Sequence, residues 1–170
     1  MGARTFPTAL GPCALSWDGG LLTGFQLPSA DERATLGRLG ARATPDEPPE
    51  WVASVILRAQ RHLAGKPQDF GDVPLDWKRV GEFEAAVYRH TRAIPAGSTR
   101  TYGEIAELAA SGPGSARAVG SALGANPWPL VVPCHRVVAA GGKMTGFSAP
   151  GGIRTKTRLL AIEGAQLLSE

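Results

Sequence analysis

An apolar run in the second half of the chain places a strong constraint on the fold. Residues 131–138, VVPCHRVV, put a proline, a cysteine, a histidine and an arginine between two pairs of valines. Runs of this length normally become buried strands. We therefore predict a strand that holds a thiol at the mouth of a core, with Pro133 fixing the direction in which the chain approaches.

Cys134 is a useful nucleophile only as a thiolate, which requires a basic or cationic neighbourhood. His135 and Arg136 supply one. Because adjacent residues rarely point the same way, His135 is expected to reach the sulfur through a bridging water or across a tight turn. Glu163 is the expected orienter of the imidazole, in preference to Glu170 at the C-terminus. A Cys-His dipeptide alone is weak evidence, since most buried cysteines are structural.

The charge distribution favours a polyanionic partner. The net charge is only +3, but no Asp or Glu occurs between Glu107 and Glu163. The cations of that stretch are Arg117, Arg136, Lys143, Arg154, Lys156 and Arg158. Such a stretch creates a positive potential that suits DNA or RNA. A solvated basic face is the alternative.

The composition limits the other possibilities. A chain of 170 residues, 43% of them hydrophobic, suits one soluble domain or two small ones. Cys13 and Cys134 form no CxxC pair, and the three histidines lack ligand spacing, so we expect reduced thiols, no metal and no cofactor. The absence of a long apolar window predicts a cytoplasmic protein without a membrane span.

The first 78 residues read as a small sheet-and-helix domain. Apolar residues flank Asp18-Gly19-Gly20, which predicts a hairpin. An apolar stripe after residue 50 predicts a helix, with His62 exposed on its polar side. A turn-rich segment at 66–77 places the boundary between domains 1–78 and 79–170. The expected fold class is therefore α/β in the α+β sense, with a mostly helical second domain.

Two short helices predict a helix-turn-helix in the second domain. An amphipathic helix is expected at 80–94, followed by TYGEIAELA, in which Thr101 and Glu104 have capping-box spacing. SGPG at 111–114 breaks the chain before SARAVGSALG, opened by Ser115. The second helix has small residues around Arg117, so it suits close approach to a sugar-phosphate surface. Tight packing of two core helices is the alternative.

These motifs together resemble a known family. NPWPLVVPCHRVV, GGKMTGFSAPGG, TYGEIAELA and ARAVGSAL are similar to the corresponding segments of the O6-alkylguanine-DNA alkyltransferases, over most of residues 80–165. The resemblance implies a DNA repair protein that flips O6-alkylguanine out of the duplex and transfers the alkyl group irreversibly to its own cysteine. Residues 1–75 match that family only in general plan.

The resemblance also implies roles for individual residues. Cys134 is the expected acceptor, His135, a water and Glu163 form its relay, Asn126 braces the turn, and Tyr102 donates a proton to the leaving guanine. Arg117 is expected to fill the space that the flipped base vacates. The expected DNA contacts are Ser115, Ala116, Arg117, Tyr102, Gly103 and Arg136. The expected substrate pocket is formed by Pro129, Val137, Phe147 and Ser148.

The expected partner is double-stranded DNA carrying O6-alkylguanine, with O4-alkylthymine left open. A monomer associated with the nucleoid is expected, and clustering of copies on DNA is left open. The alternative function is a lesion sensor that binds and flips the base with transfer secondary. A thiol hydrolase and a sequence-specific regulator fit less well, because the first leaves the basic stretch unexplained and the second needs larger side chains on its recognition helix.

Overall fold

The computed structural model describes residues 1–109, 115–144 and 147–165, and it has the mixed α+β architecture predicted from the sequence. An antiparallel sheet comes first, with β1 (Gly2–Thr8), β2 (Gly11–Asp18) and β3 (Leu21–Gln26) in sequential order. Gly19 and Gly20 join β2 to β3 with φ angles of 55° and 85°, a region that favours glycine. The predicted hairpin is confirmed.

Two helices cover this sheet. Helix α1 (Glu32–Leu39) is capped by Asp31, whose side chain accepts a hydrogen bond from the backbone N–H of Ala34. Helix α2 (Glu50–Leu63) buries a stripe that includes Val52, Val55 and Ala59. The apolar periodicity therefore predicted α2 correctly.

The second half contains α3 (Glu82–Arg92), α4 (Tyr102–Leu108), α5 (Ala116–Gly124) and α6 (Ile153–Ile162). Helices α4 and α5 pack together as a helix-turn-helix requires, although the predicted turn at 111–114 lies outside the described residues. Thr101 caps α4 by accepting from the backbone N–H of Glu104. In return, the Glu104 carboxylate accepts from the Thr101 hydroxyl, where a capping box would use the Thr101 backbone N–H.

The prediction of a strand over 131–138 was wrong for most of its length. Cys134–Arg136 form one turn of 3-10 helix, and only β5 (Val137–Val138) is a strand, paired in parallel with β4 (Arg100–Thr101). The turn closes because the Cys134 N–H donates to the Val132 carbonyl at 2.7 Å and the Arg136 N–H donates to the Pro133 carbonyl at 2.9 Å. With three residues per turn, the three polar side chains point in different directions.

The two halves of the chain share one continuous cluster of buried apolar side chains. Two hydrogen bonds also join β3 to residues 127–128, which precede Cys134 in the chain. The Phe25 N–H donates to the Pro127 carbonyl, and the indole of the fully buried Trp128 donates to the Leu22 carbonyl, both at 2.9 Å. The boundary at 78/79 stays a prediction. No helix within the described residues has the length and apolar character needed to cross a membrane.

Candidate active site

Cys134 lies at the start of the 3-10 turn and is only 6% exposed. Asn126 braces the segment that leads to it. The Asn126 amide donates to the Val132 carbonyl, and its oxygen accepts from the Trp128 N–H, both at 2.9 Å. The side chain of Asn126 is therefore fixed at both ends, as its predicted bracing role requires.

Burial is the largest influence on the Cys134 thiol, and it raises the pKa of Cys134 above its ordinary value. Four groups oppose that rise: a hydrogen bond from Asn126, the charge of Lys156, and the backbone N–H groups of Cys134 and His135. The resting group is thus a neutral thiol surrounded by donors that favour its anion. Such a thiol reacts when a base takes its proton.

Glu163 lies directly after α6 and collects four hydrogen bonds in a buried cluster. His135 Nε2 lies 3.0 Å from Oε2, and the Arg136 guanidinium binds both oxygens, at 2.9 Å from Nε and 2.7 Å from Nη2. The fourth contact comes from His62 of α2, whose Nε2 lies 2.7 Å from Oε2. The predicted pairing of His135 with Glu163 is therefore present in the structure.

The charge state of this cluster follows from these contacts. Burial by itself raises the pKa of Glu163, but hydrogen bonds from His135, His62 and Arg136 outweigh it and hold that pKa well below its usual range. Burial lowers the pKa of His135, against the opposing effect of Glu163. Glu163 is accordingly an anion and His135 a neutral imidazole in the resting site.

His135 has one ring nitrogen, Nδ1, that is free to accept a proton if His135 acts as a base. Because the Glu163 carboxylate only accepts, His135 Nε2 carries the hydrogen and Nδ1 keeps its lone pair. His135 Nδ1 is buried and has no hydrogen-bond partner among the described residues. The turn geometry of Cys134–Arg136 thus leaves an unprotonated nitrogen in the residue next to the thiol.

Lys156 of α6 joins this site to Tyr102, the first residue of α4. Its ammonium group is buried and donates to the Val137 carbonyl at 2.7 Å and to the Tyr102 hydroxyl at 3.4 Å. The ammonium also lies 5.6 Å from the centre of the Tyr102 ring.

Two small cavities border the thiol, and an open groove shares lining residues with one of them. One of about 150 Å³ is lined by Cys134, Pro129, Phe147 and Ser148, among others. A second, of about 40 Å³, shares Cys134 with the first and adds Tyr102 and Gly120. Tyr102 and Gly120 also line an open groove of about 850 Å³. The shared residues therefore trace a path from the groove to the cysteine.

Three of the four residues predicted to form the substrate pocket line a cavity with Cys134. They are Pro129, Phe147 and Ser148. Val137 does not belong to the described lining of either Cys134 cavity. It is fully buried, and its carbonyl accepts the Lys156 hydrogen bond.

The open groove follows the helix-turn-helix. It is lined by Tyr102 and Gly103 of α4, by Ala116 and Arg117 of α5, and by neighbouring small residues. Arg117 is exposed, and Ser115 occupies the N-cap position of α5. The predicted DNA-contact residues other than Arg136 thus share one surface or its edge.

Arg136 does not lie on that surface, so its predicted contact with DNA is corrected. The side chain is 6% exposed, it binds Glu163, and its Nη1 donates to the Ile94 carbonyl at 2.6 Å. The guanidinium has to stay with the carboxylate, because separating a buried pair leaves an uncompensated charge. The acid-free stretch therefore divides into two buried cations, Arg136 and Lys156, and four exposed ones.

His62 and Lys156 were missed as site residues, and His62 was wrongly placed on an exposed face. Both positions carried a signal in their spacing. His62 follows Val55 and Ala59 by seven and three residues, on the buried stripe of α2, and Lys156 stands seven residues before Glu163. Both residues are polar and were therefore expected on the surface, although their helical spacing indicates buried positions.

Across residues 1–109, 115–144 and 147–165, no group of three or more His, Cys, Asp or Glu is arranged to hold a metal ion. The site instead combines a buried thiol, an imidazole hydrogen-bonded to a carboxylate, and a nearby groove on a helix-turn-helix. That combination defines a class of DNA-binding proteins that use a cysteine as the reacting group.

Comparisons with known proteins agree with this class. Residues 82–165 match the family model described as 6-O-methylguanine DNA methyltransferase, DNA binding domain. The methylated-DNA–protein-cysteine methyltransferase of Mycobacterium tuberculosis is 38% identical over 94% of this chain and 90% of its own. That of Mycobacterium leprae is 36% identical over 98% and 94%.

Solved structures show the same relationship. The crystal structure of the Mycobacterium tuberculosis O6-methylguanine methyltransferase superposes with a TM-score of 0.76 at 36% identity, covering 99% of this chain and 96% of that one. A crystal structure of the Mycobacterium tuberculosis OGT in complex with DNA gives 0.75 at 36% identity, covering 95% and 92%. The chain belongs to the 6-O-methylguanine DNA methyltransferase family.

Proposed function

We propose that this protein repairs DNA by moving the alkyl group of O6-alkylguanine onto Cys134, once per molecule. The observation that carries the proposal is the thiol beside a neutral imidazole whose Nε2 is fixed by Glu163 and whose Nδ1 is unpaired among the described residues. Membership of the family, and the DNA complex of a 36% identical relative, support DNA as the partner. Association with DNA inside the cell follows from that partner.

The transfer is an in-line displacement at the alkyl carbon. The Cys134 proton passes through a water to His135 Nδ1, the sulfur forms a bond to the alkyl carbon, and the bond from that carbon to guanine O6 breaks. The departing guanine takes up a proton from the Tyr102 hydroxyl, which the Lys156 ammonium holds at 3.4 Å. The products are an S-alkylcysteine and an unmodified guanine.

The target nucleotide has to leave the base stack, because O6 is inaccessible to a buried sulfur in a stacked duplex. Residues Tyr102 and Gly120 border both the open groove and the Cys134 cavity. Arg117 is the exposed long side chain on the groove and fills the space that the base leaves. Small residues of α5 allow this helix to approach the sugar-phosphate backbone of DNA closely. The protein acts as a monomer.

The defining test is the mass of the intact protein after incubation with an O6-methylguanine duplex. We expect a gain of one methyl group, located on the peptide that contains Cys134, and no second transfer. Repeated turnover would refute the single-use mechanism. DNA binding without a gain in mass would replace it with lesion sensing.

A second measurement tests the role of Arg117. Since its side chain is exposed, Arg117→Ala should leave stability within about 0.5 kcal/mol of the parent. It should slow repair of a duplex much more than repair of the same lesion in a single strand, because only the duplex requires flipping. Equal slowing on both substrates would contradict the proposed role.

A further inference from the structure

His62 is a buried histidine of α2, and it belongs to the first part of the chain while its partner lies at the end of α6. The ring is 0% exposed and packs 5.6 Å from the Phe70 ring, centre to centre. Its Nε2 lies 2.7 Å from Glu163 Oε2, and its Nδ1 lies 2.9 Å from the backbone N–H of Gln68. Both ring nitrogens are therefore used.

These two contacts fix which nitrogen of His62 carries the hydrogen. The Gln68 N–H can only donate, so Nδ1 accepts and is unprotonated. Nε2 then carries the hydrogen and donates to Glu163. The loop after α2 thus sets the tautomer, and the tautomer directs a donor at the carboxylate of the acceptor site.

Glu163 Oε2 is shared by three donors, from His62, His135 and Arg136. Each donor that binds an anion offsets part of its negative charge, so the anion attracts the other donors less strongly. With His62 in place, Glu163 attracts the His135 hydrogen less strongly. His135 is therefore less readily protonated by solvent in the resting site, and it remains able to take the proton of the Cys134 thiol.

We propose that His62 is a positioning residue of the alkyl-acceptor site, which acts through Glu163 to keep His135 neutral and available as the base. This inference rests on the proposed function and deepens it. It makes helix α2 part of the chemistry of Cys134, at a sequence distance of 101 residues between the two partners.

Several charged and titratable groups surround the cluster, and each belongs to a packed element. The 3-10 turn contributes Cys134, His135 and Arg136, and α6 with the residue after it contributes Lys156 and Glu163. Tyr102 of α4 contacts Lys156. Arg92 and Asp69 line a neighbouring cavity of about 510 Å³ together with Arg136. His62 shares its role as a neutral donor to Glu163 with His135, but its second ring nitrogen is occupied by the Gln68 N–H, whereas Nδ1 of His135 has no partner among the described residues.

Two substitutions separate donation from packing. His62→Phe keeps an aromatic ring beside Phe70 and removes both nitrogens. His62→Gln places an amide N–H at the reach of Nε2. Both variants remove the ring Nδ1 that accepts from the Gln68 N–H, and only His62→Gln keeps an N–H that can donate to Glu163, so the comparison between them tests that donor. Phe70→Leu is the packing control, because it disturbs the ring contact and leaves both hydrogen bonds of His62.

The readout is the single-turnover rate of methyl transfer as a function of pH. In His62→Phe, Glu163 attracts the imidazolium more strongly, so the pKa of His135 rises. The acid limb of the profile should move up by about half a pH unit, which is roughly a threefold loss of rate at a pH on that limb. The plateau at higher pH should keep its rate. His62→Gln should restore the midpoint of the parent, and Phe70→Leu should not move it.

A purely structural role predicts a different pattern. The inference is overturned if His62→Phe lowers the rate equally at every pH, or if His62→Gln shifts the midpoint as far as His62→Phe does. If His62→Phe does not fold, the His62→Gln profile still tests the inference, because a midpoint that shifts although the donor to Glu163 is kept overturns it. Labelling of Cys134 by iodoacetamide over the same pH range needs no DNA, so it tests His62 even where the parent transfers no methyl group.

Discussion

The two cysteines of this protein are both buried, free and surrounded by apolar side chains, yet only one is placed to react. Cys13 lies in β2, where its thiol makes a side-chain hydrogen bond of 4.0 Å to the Thr8 hydroxyl, and burial raises the pKa of this thiol to about 12. Cys134 is buried as well, but it adjoins Asn126, Lys156 and an imidazole. Burial alone therefore makes a thiol inert, and reactivity depends on the polar groups buried with it.

The largest expected difference between the two thiols is in transfer itself. Cys134→Ala should abolish methyl transfer, because no other described thiol borders the cavity. Cys13→Ala should keep full stoichiometric transfer and lose about 1 kcal/mol of stability from the smaller side chain. Intact mass and urea unfolding of both variants measure this. Transfer by Cys134→Ala, or its loss in Cys13→Ala, would break the comparison.

The second largest effect concerns Glu163, the carboxylate of the Cys134 site, which has no counterpart beside Cys13 among the described residues. Glu163→Gln leaves the buried Arg136 without its counter-ion and should destabilise the protein by about 3–5 kcal/mol. Methyl transfer should slow as well, since His135 loses its orienting anion. Urea unfolding at neutral pH measures the first effect and single-turnover kinetics the second. Glu163→Asp, which keeps the charge, is the matched control and should be less harmful.

The stability difference between the parent and Glu163→Gln should depend on pH. The pKa of Glu163 is lower in the folded protein than the value of about 4.3 for a free glutamate, so folding favours its ionised form. That stabilisation is present above pH 4.3 and is lost as the pH falls through the folded pKa. The stability difference between the parent and Glu163→Gln should therefore shrink as the medium becomes acidic. A difference that grows on acidification would contradict the assignment.

The sequence predicted that Cys134, His135 and Glu163 would meet and that Asn126 would hold the segment before the thiol, and the structure brings these residues together. Cys134, His135 and Asn126 stand in recognisable local patterns, and Glu163 is the first acid after the acid-free stretch. Prediction from the sequence failed for Arg136 and His62, whose burial depends on partners 27 and 101 residues away. A basic residue is normally solvated, and only a distant carboxylate makes its burial tolerable. The strand predicted at 131–138 failed for a related reason, since apolar content indicates burial without distinguishing a strand from a tight turn.

A third, smaller effect tests the cation beside Cys134. Lys156→Met keeps a side chain of similar length and removes the charge that favours the thiolate, so the pKa of Cys134 should rise. We expect labelling by iodoacetamide near pH 8 to slow by about tenfold, the effect of one pKa unit. Lys143→Met removes an exposed charge and is the matched control, with unchanged labelling. Equal labelling of both variants would show that the charge of Lys156 does not favour the Cys134 thiolate.

The smallest expected effect tests whether Cys13 is inert because it is buried. Thr8→Val removes the contact to the Cys13 thiol and two turn hydrogen bonds, from the Thr8 hydroxyl to the Gly11 carbonyl and from the Leu10 N–H. The pKa of Cys13 should rise further, because the Thr8 contact lowers it. Direct labelling in the folded state should consequently remain negligible.

Any labelling of Cys13 in this variant should then proceed through unfolding. The lost hydrogen bonds should cost about 1 kcal/mol, which is roughly a fivefold rise in the unfolded population. Cys13 labelling by iodoacetamide should rise by the same factor as the unfolding constant from urea titration, while Cys134 labelling stays at the parental rate because the cavity gives it direct access. Faster labelling of Cys13 at unchanged stability would show that the Thr8 contact, and not burial, restrains this thiol.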